Sequence, residues 1–134
     1  MDESIDIPEI AVVDASFLLS FFLPDEENNT SSVVMDAYAK DAIRLLSSPL
    51  LPFEVSNGLY MAVRRKRILP EHAGIMVEKM LAYDIEFLPI QFSKVLQLAT
   101  EKKTTIYDAS YLWIAITKNL PLLTLDKTLS RLAS

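Results

Sequence analysis

Residues Ile10-Ala11-Val12-Val13 form an unbroken apolar run that stops on an aspartate, Asp14. Ala15 and Ser16 then lead straight into a helix-like segment from Phe17 to Leu23. An apolar run without polar alternation describes a strand covered on both faces, at the centre of a parallel sheet rather than its edge. Parallel strands need crossover connections, usually helices packed on the sheet, so this one stretch restricts the chain to an α/β architecture. The residue ending such a strand faces the crevice where open α/β sheets place their ligands. Asp14 is therefore a charge set at a mouth, and other acids reaching the same edge would make it a site.

The rest of the chain keeps the alternation of strand and helix. A Pro-broken loop at 23–29 leads to a helix capped by Thr30 or Ser31. Val33, Val34, Ala37, Tyr38, Ala42, Leu45 and Leu46 recur at helical spacing up to Ser47-Ser48-Pro49. Leu50-Leu51-Pro52 reads as the second strand. A helix with Val55, Leu59, Ala62 and Val63 on one face follows and ends in Arg64-Arg65-Lys66-Arg67. Pro70 opens another helix, with Ala73, Met76, Val77, Met80 and Leu81 inward. Ile85 to Leu88 is the third strand and Ser93 to Lys102 a helix. Ala109 to Thr117, apolar nearly all round and including Trp113, reads as a buried helix. Pro121 to Leu125 is the fourth strand, ending on Asp126, and a last helix runs to Ala133. The expectation is a single domain over residues 1–134, a three-layer α/β/α fold around a parallel sheet of four or five strands.

In this layout Asp14 and Asp126 each end a strand, Glu54 lies in the first turn of the helix after the second strand, and Asp108 begins the buried helix. All four belong at the C-terminal edge of the sheet. Capping accounts for each acid singly, since aspartate is a favoured N-cap and a first-turn glutamate suits the helix dipole. It does not account for four at one edge. Two carboxylates about 5 Å apart repel by roughly 3 kcal/mol at an effective dielectric of about 20. Several such pairs would consume much of a domain's roughly 5–15 kcal/mol of stability. Either some acids hold protons or a cation neutralises them. The chain has no cysteine and one histidine, His72, which reads as a surface residue, so thiolate and His-rich metal sites are excluded. An all-oxygen cluster suits a hard ion, Mg²⁺ or Mn²⁺, and the chemistry that follows is hydrolysis of a phosphodiester.

The formal net charge of −5 argues against capture of nucleic acid over the whole surface, although an acidic metal site contributes to that charge. Basic groups are local: Arg64, Arg65, Lys66 and Arg67 at a helix end, and Lys127 and Arg131 beside Asp126. They read either as solvated ends complementing helix dipoles or as contacts to RNA phosphates. No apolar run approaches the roughly 20 residues that span a bilayer. Met1 to Glu9 is acidic and lacks the basic region of a signal peptide, so no membrane role and a cytoplasmic location are expected.

Four spaced blocks also carry a resemblance: Val12-Val13-Asp14-Ala15-Ser16, Leu51-Pro52-Phe53-Glu54-Val55-Ser56-Asn57-Gly58-Leu59, Thr105-Ile106-Tyr107-Asp108-Ala109-Ser110-Tyr111-Leu112 and Pro121-Leu122-Leu123-Thr124-Leu125-Asp126. Over nearly the whole chain the pattern resembles the PIN-domain family, and within it the VapC-type toxins of toxin–antitoxin pairs. The resemblance implies the PIN α/β/α fold, a Mg²⁺- or Mn²⁺-dependent endoribonuclease activity, a homodimer, and a cognate antitoxin covering the acidic cleft. It carries the acidic roles onto Asp14, Glu54, Asp108 and Asp126, and polar supporting roles onto Ser16, Asn57 and Thr124. The chain departs from the family in two ways. It runs only briefly past Asp126, so the final edge strand is expected to be short or absent, and Thr117-Lys118-Asn119-Leu120 has no glycine before the last strand. Two alternatives stand beside the enzyme: a PIN-fold protein kept for binding alone, and a receiver-like signalling domain, which would need an acid where the third strand ends in Phe87-Leu88-Pro89.

Overall fold

The computed structural model describes residues 6–26 and 28–134. The first five residues of the acidic N-terminal segment, and Glu27 in the loop at 23–29, lie outside the described part. Four strands alternate with helices. Strand β1 is Ile10–Val13, β2 Arg44–Ser47, β3 Glu86–Phe87 and β4 Leu122–Leu123; the helices are α1 (Ala15–Phe22), α2 (Asn29–Ala39), α3 (Leu51–Arg64), α4 (Pro70–Leu81), α5 (Phe92–Lys102), α6 (Ile106–Lys118) and α7 (Lys127–Ala133). A short 3-10 turn at Pro24–Glu26 joins α1 to the loop before α2.

The sheet order is β3-β2-β1-β4 and every pairing is parallel. The apolar run is thus central, with Ala11 opposite Leu45 on one side and Val13 opposite Leu123 on the other. Its three inner residues are fully buried. Successive strand side chains point to opposite faces. Ala11 and Val13 accordingly join the larger core with Phe17, Leu18, Leu51, Val55 and Leu59, while Val12 packs with Ile114 and Ala115 of α6. These two cores are the two faces of a three-layer fold.

The second strand does not lie where the spacing puts it. Helix α2 begins after Asn28, whose side chain accepts the Ser31 N–H, rather than at a Thr30 or Ser31 cap, and it ends at Ala39. Asp41 then takes a left-handed conformation (φ 59°) that a continuing helix cannot accommodate. Leu45 and Leu46 therefore belong to β2 and not to the preceding helix. A short apolar run fits both periods, so its spacing does not decide between them. Leu51 and Pro52 instead open α3, where the missing proline N–H leaves no hydrogen bond unmade.

The remaining boundaries agree within a few residues. Among the described residues there is no fifth strand. Asn119 caps α6 in the left-handed region (φ 53°), so asparagine fills the turn where the family pattern has glycine. None of the described helices is long and apolar enough to cross a membrane.

Candidate active site

Because all strands run the same way, the segments that follow them emerge at one edge. Asp14, directly after β1, caps α1: its Oδ1 accepts the Phe17 N–H at 3.0 Å. Glu54 lies in the first turn of α3, after β2. Asp126 follows β4 and caps α7, its Oδ1 accepting the Leu129 N–H at 2.8 Å. Asp108 differs from the sequence expectation in one respect. It is not a cap but a first-turn residue of α6, whose cap is Thr105, and the Thr105 hydroxyl accepts the Asp108 N–H at 3.1 Å. The four acids line a single cleft of about 290 Å³, with Ala15, Ser16, Leu19 and Thr105 completing its walls. Two of them cap helices and still face the cleft, so local capping and convergence coexist.

Asp14 is the innermost acid, 2% exposed. Two hydroxyls hold it. Ser16 Oγ lies 2.8 and 3.0 Å from its two carboxylate oxygens, and Thr124 donates to Oδ2. The same hydroxyls accept backbone N–H groups from the segment after β4, Ser16 from Leu125 at 3.0 Å and Thr124 from Asp126 at 3.0 Å. The end of β1 is thereby laced to the end of β4, and Asp126 is brought to the same cleft as Asp14.

Electrostatics mark the cleft as strained. Burial pushes the Asp14 carboxyl above its ordinary range, against the hydrogen bonds from Thr124, Phe17 and Ser16, and the Asp108 charge adds to the rise. Burial also raises Glu54, with further rises from Asp108 and Asp14. Asp108 is raised by burial and then by Asp126. Three acids are thus held uneasily as anions, each with another of the four cleft acids among the causes.

Size alone does not mark the site. A larger cavity of about 480 Å³ opens at the opposite, N-terminal edge of β2 and β3, lined by Tyr38, Arg44, Tyr83 and Glu86 among others. Its Arg44 and Glu86 pair with each other at 3.3 Å.

A model of the PIN domain matches residues 11–134. The chain belongs to the PIN-domain family. It is 28% identical over 123 residues to Ribonuclease VapC3 of Pyrobaculum aerophilum, covering 89% of this chain and 91% of that protein. The crystal structure of PAE2754 from Pyrobaculum aerophilum superposes with a TM-score of 0.74 at 26% identity, over 94% of this chain and 85% of the other. Mycobacterium tuberculosis VapC20, a toxin that cleaves the sarcin-ricin loop, shares the fold with a TM-score of 0.62 at 15% identity, over 91% and 93% of the two chains. PIN membership displaces the receiver-like alternative.

The donors of this PIN domain are all carboxylate oxygens, and their mutual repulsion is what a bound cation would relieve, so the residues present fit a hard divalent ion. Among the described residues no three acids stand as a ready-made ligand group.

The other candidates divide. Lys127 and Arg131 line a groove of about 470 Å³ with Thr124, Leu125 and Ser130, and this groove shares Asp126 with the acidic cleft. Arg64, Arg65 and Lys66 are at the far end of α3, and all three are exposed. Arg67 has a different occupation from the phosphate contact considered for it. Its guanidinium grips Asp25 through Nε at 2.7 Å and Nη2 at 2.6 Å, and Glu26 at 2.6 Å, tying the end of α3 to the 3-10 turn. Asn57 is exposed one turn past Glu54 and does not line the cleft. Helical spacing puts it beside Glu54, but does not decide which of the two turns into the cleft.

Two participants lie beyond the sequence reading. Leu19 enters the cleft wall because Gly58 lets α1 approach α3: a Cβ on Gly58 would lie 2.5 Å from Leu19 Cδ1. Tyr111, fully buried, donates its hydroxyl to Glu54 Oε1 at 2.8 Å. Its place one turn after Asp108 on the same helix is the one signal the sequence offers.

Proposed function

We propose that this PIN domain is a metal-dependent endoribonuclease, the toxin of a toxin–antitoxin pair, that hydrolyses RNA phosphodiester bonds in the cytoplasm. The reading rests above all on four acids from four elements facing one cleft, and the similarity to Ribonuclease VapC3 supports RNA as the substrate. Asp14, Glu54, Asp108 and Asp126 would hold Mg²⁺ or Mn²⁺. When bound, such an ion supplies Lewis-acid charge and makes water a nucleophile near neutral pH.

The chain's own groups prepare this. Ser16, Thr124 and the Phe17 N–H fix the plane of the Asp14 carboxylate and favour its ionised form against burial. Asp126, laced to the same network, carries the acidic edge towards Lys127 and Arg131, which would meet the RNA phosphates flanking the scissile one. Arg64, Arg65 and Lys66 offer a second, more distant phosphate contact. A cognate antitoxin and a homodimer accompany this reading as its partners.

Asp14→Asn keeps the side-chain shape and removes the charge. Metal-dependent cleavage of a labelled RNA should fall on the order of 100-fold or more, above the 10–100-fold typical of residues that merely support a ligand. Circular dichroism should show the fold retained. A folded Asp14→Asn protein that cuts RNA as fast as the parent would refute the proposal.

A further inference from the structure

Among the described residues, the hydroxyl of Tyr111 makes the one cleft side-chain hydrogen bond that joins two acid-bearing helices directly. Helix α6 brings Asp108 in its first turn and Tyr111 one turn later, and the Tyr111 hydroxyl reaches across to Glu54 on α3 at 2.8 Å. The ring has no freedom to wander, being fully buried in the larger core with Val55, Leu59 and Leu51. Glu54 is otherwise a flexible side chain, and the negative charges of Asp14 and Asp108 act on it. Left alone, it would swing from the cleft towards water, because repulsion falls with distance and hydration improves. No other side-chain hydrogen bond to Glu54 exists among the described residues.

We infer that Tyr111 is a positioning residue for the metal: its hydroxyl holds Glu54 Oε1 against the pull of solvent, so that Oε2 is the oxygen offered to a divalent ion. Partners of this kind, behind a ligand, typically change metal affinity by about 10–100-fold. The inference rests on the metal-dependent reading above. It goes beyond that reading by assigning the order of the Glu54 site to a residue that cannot itself reach an ion, its hydroxyl being committed to the carboxylate.

The test is Mn²⁺ binding to the purified full chain, read from the electron paramagnetic resonance signal of free Mn²⁺, for the parent, Tyr111→Phe, Glu54→Ala and the double variant. Tyr111→Phe keeps the buried ring and removes only the hydroxyl, and thermal melts in EDTA confirm that each protein is folded. The expected result is Mn²⁺ binding about 10-fold weaker for Tyr111→Phe, and no further weakening when the same change is made in Glu54→Ala. If Tyr111→Phe binds Mn²⁺ within about twofold of the parent, well short of that expected range, the inference is overturned. An equal loss in the Glu54→Ala background overturns it too, since Tyr111 would then act through general packing. A parent that binds no Mn²⁺ overturns the metal reading along with it, which is distinguishable because the other two outcomes require a parent that binds.

Discussion

Asp108→Asn should make the metal-free protein more stable while disabling it. Asp108 is the cleft acid whose charge acts on two of its neighbours while it caps no helix. It raises the carboxyls of Asp14 and Glu54, and is itself raised by burial and by Asp126. Unlike Asp14 and Asp126 it caps nothing, because Thr105 accepts the hydrogen bond at the start of α6. Two charges about 6 Å apart repel by roughly 3 kcal/mol at an effective dielectric of 20 and by less than about 1 kcal/mol in water. Asp108 is only half-buried, so screening moves each pair towards the lower figure. Three such pairs, less the roughly 0.3–1 kcal/mol that a first-turn acid gains from the helix dipole, leave a net gain of about 1 kcal/mol for the variant. For a domain of this size that is a rise in Tm of about 3–4 °C.

The pH dependence has a definite sign. Asp14, Glu54 and Asp108 all have folded-state values above the ordinary 3.8 or 4.5. Their contribution to stability is therefore greatest at low pH, where they are protonated, and is lost as the pH rises through the raised values. The advantage of Asp108→Asn should be seen at about pH 7.5 in EDTA and should fade by about pH 4. With saturating Mn²⁺ the order should invert, the parent gaining more. Thermal unfolding followed by circular dichroism measures all three conditions. A variant no more stable than the parent near neutral pH in EDTA would mean that the acids do not burden one another, and the case for a shared cation would fail.

Lys127→Ala and Arg131→Ala should weaken binding of single-stranded RNA and lower the slope of log affinity against log salt by about 0.7 for each phosphate no longer neutralised. Arg67→Ala should leave that slope unchanged, because its guanidinium is already held by Asp25 and Glu26, and filter binding across a salt series distinguishes the two behaviours. Gly58→Val should drive α1 from α3 through Leu19, costing about 1–3 kcal/mol of overpacking in urea denaturation and reducing cleavage because Leu19 walls the cleft.

Much of this is legible in the order of residues alone. The run from Ile10 to Val13 places the central strand, and an acid at the end of two strands implies a shared edge. Glu54 and Asp108 come out at the same edge although spacing sets the second strand one step too late. That error is harmless because Leu51 begins a helix directly after β2, and the acid rides on the helix. The strand itself is obscured by period: Leu45 and Leu46 continue the spacing of Val34 and Tyr38, and only the left-handed Asp41 separates the two elements. What spacing does not convey is contact between elements distant in the chain. The Tyr111 hydroxyl on Glu54, the Arg67 grip on Asp25, and the approach of Leu19 to Gly58 are pairings across tens of residues. Each depends on how helices are set against one another rather than on any local pattern.

The two hydroxyls around Asp14 have a consequence for when the molecule becomes competent. Asp14 leaves the ribosome 110 positions before Thr124. Until that distant segment emerges and docks, Asp14 lacks one of its donors, Ser16 has no Leu125 N–H to accept, and Asp126 is not delivered. A growing chain therefore carries an open, incomplete cleft until the segment from Thr124 to Asp126 has emerged and docked. For a protein whose proposed target includes RNA in the cell that makes it, chain order itself delays the danger.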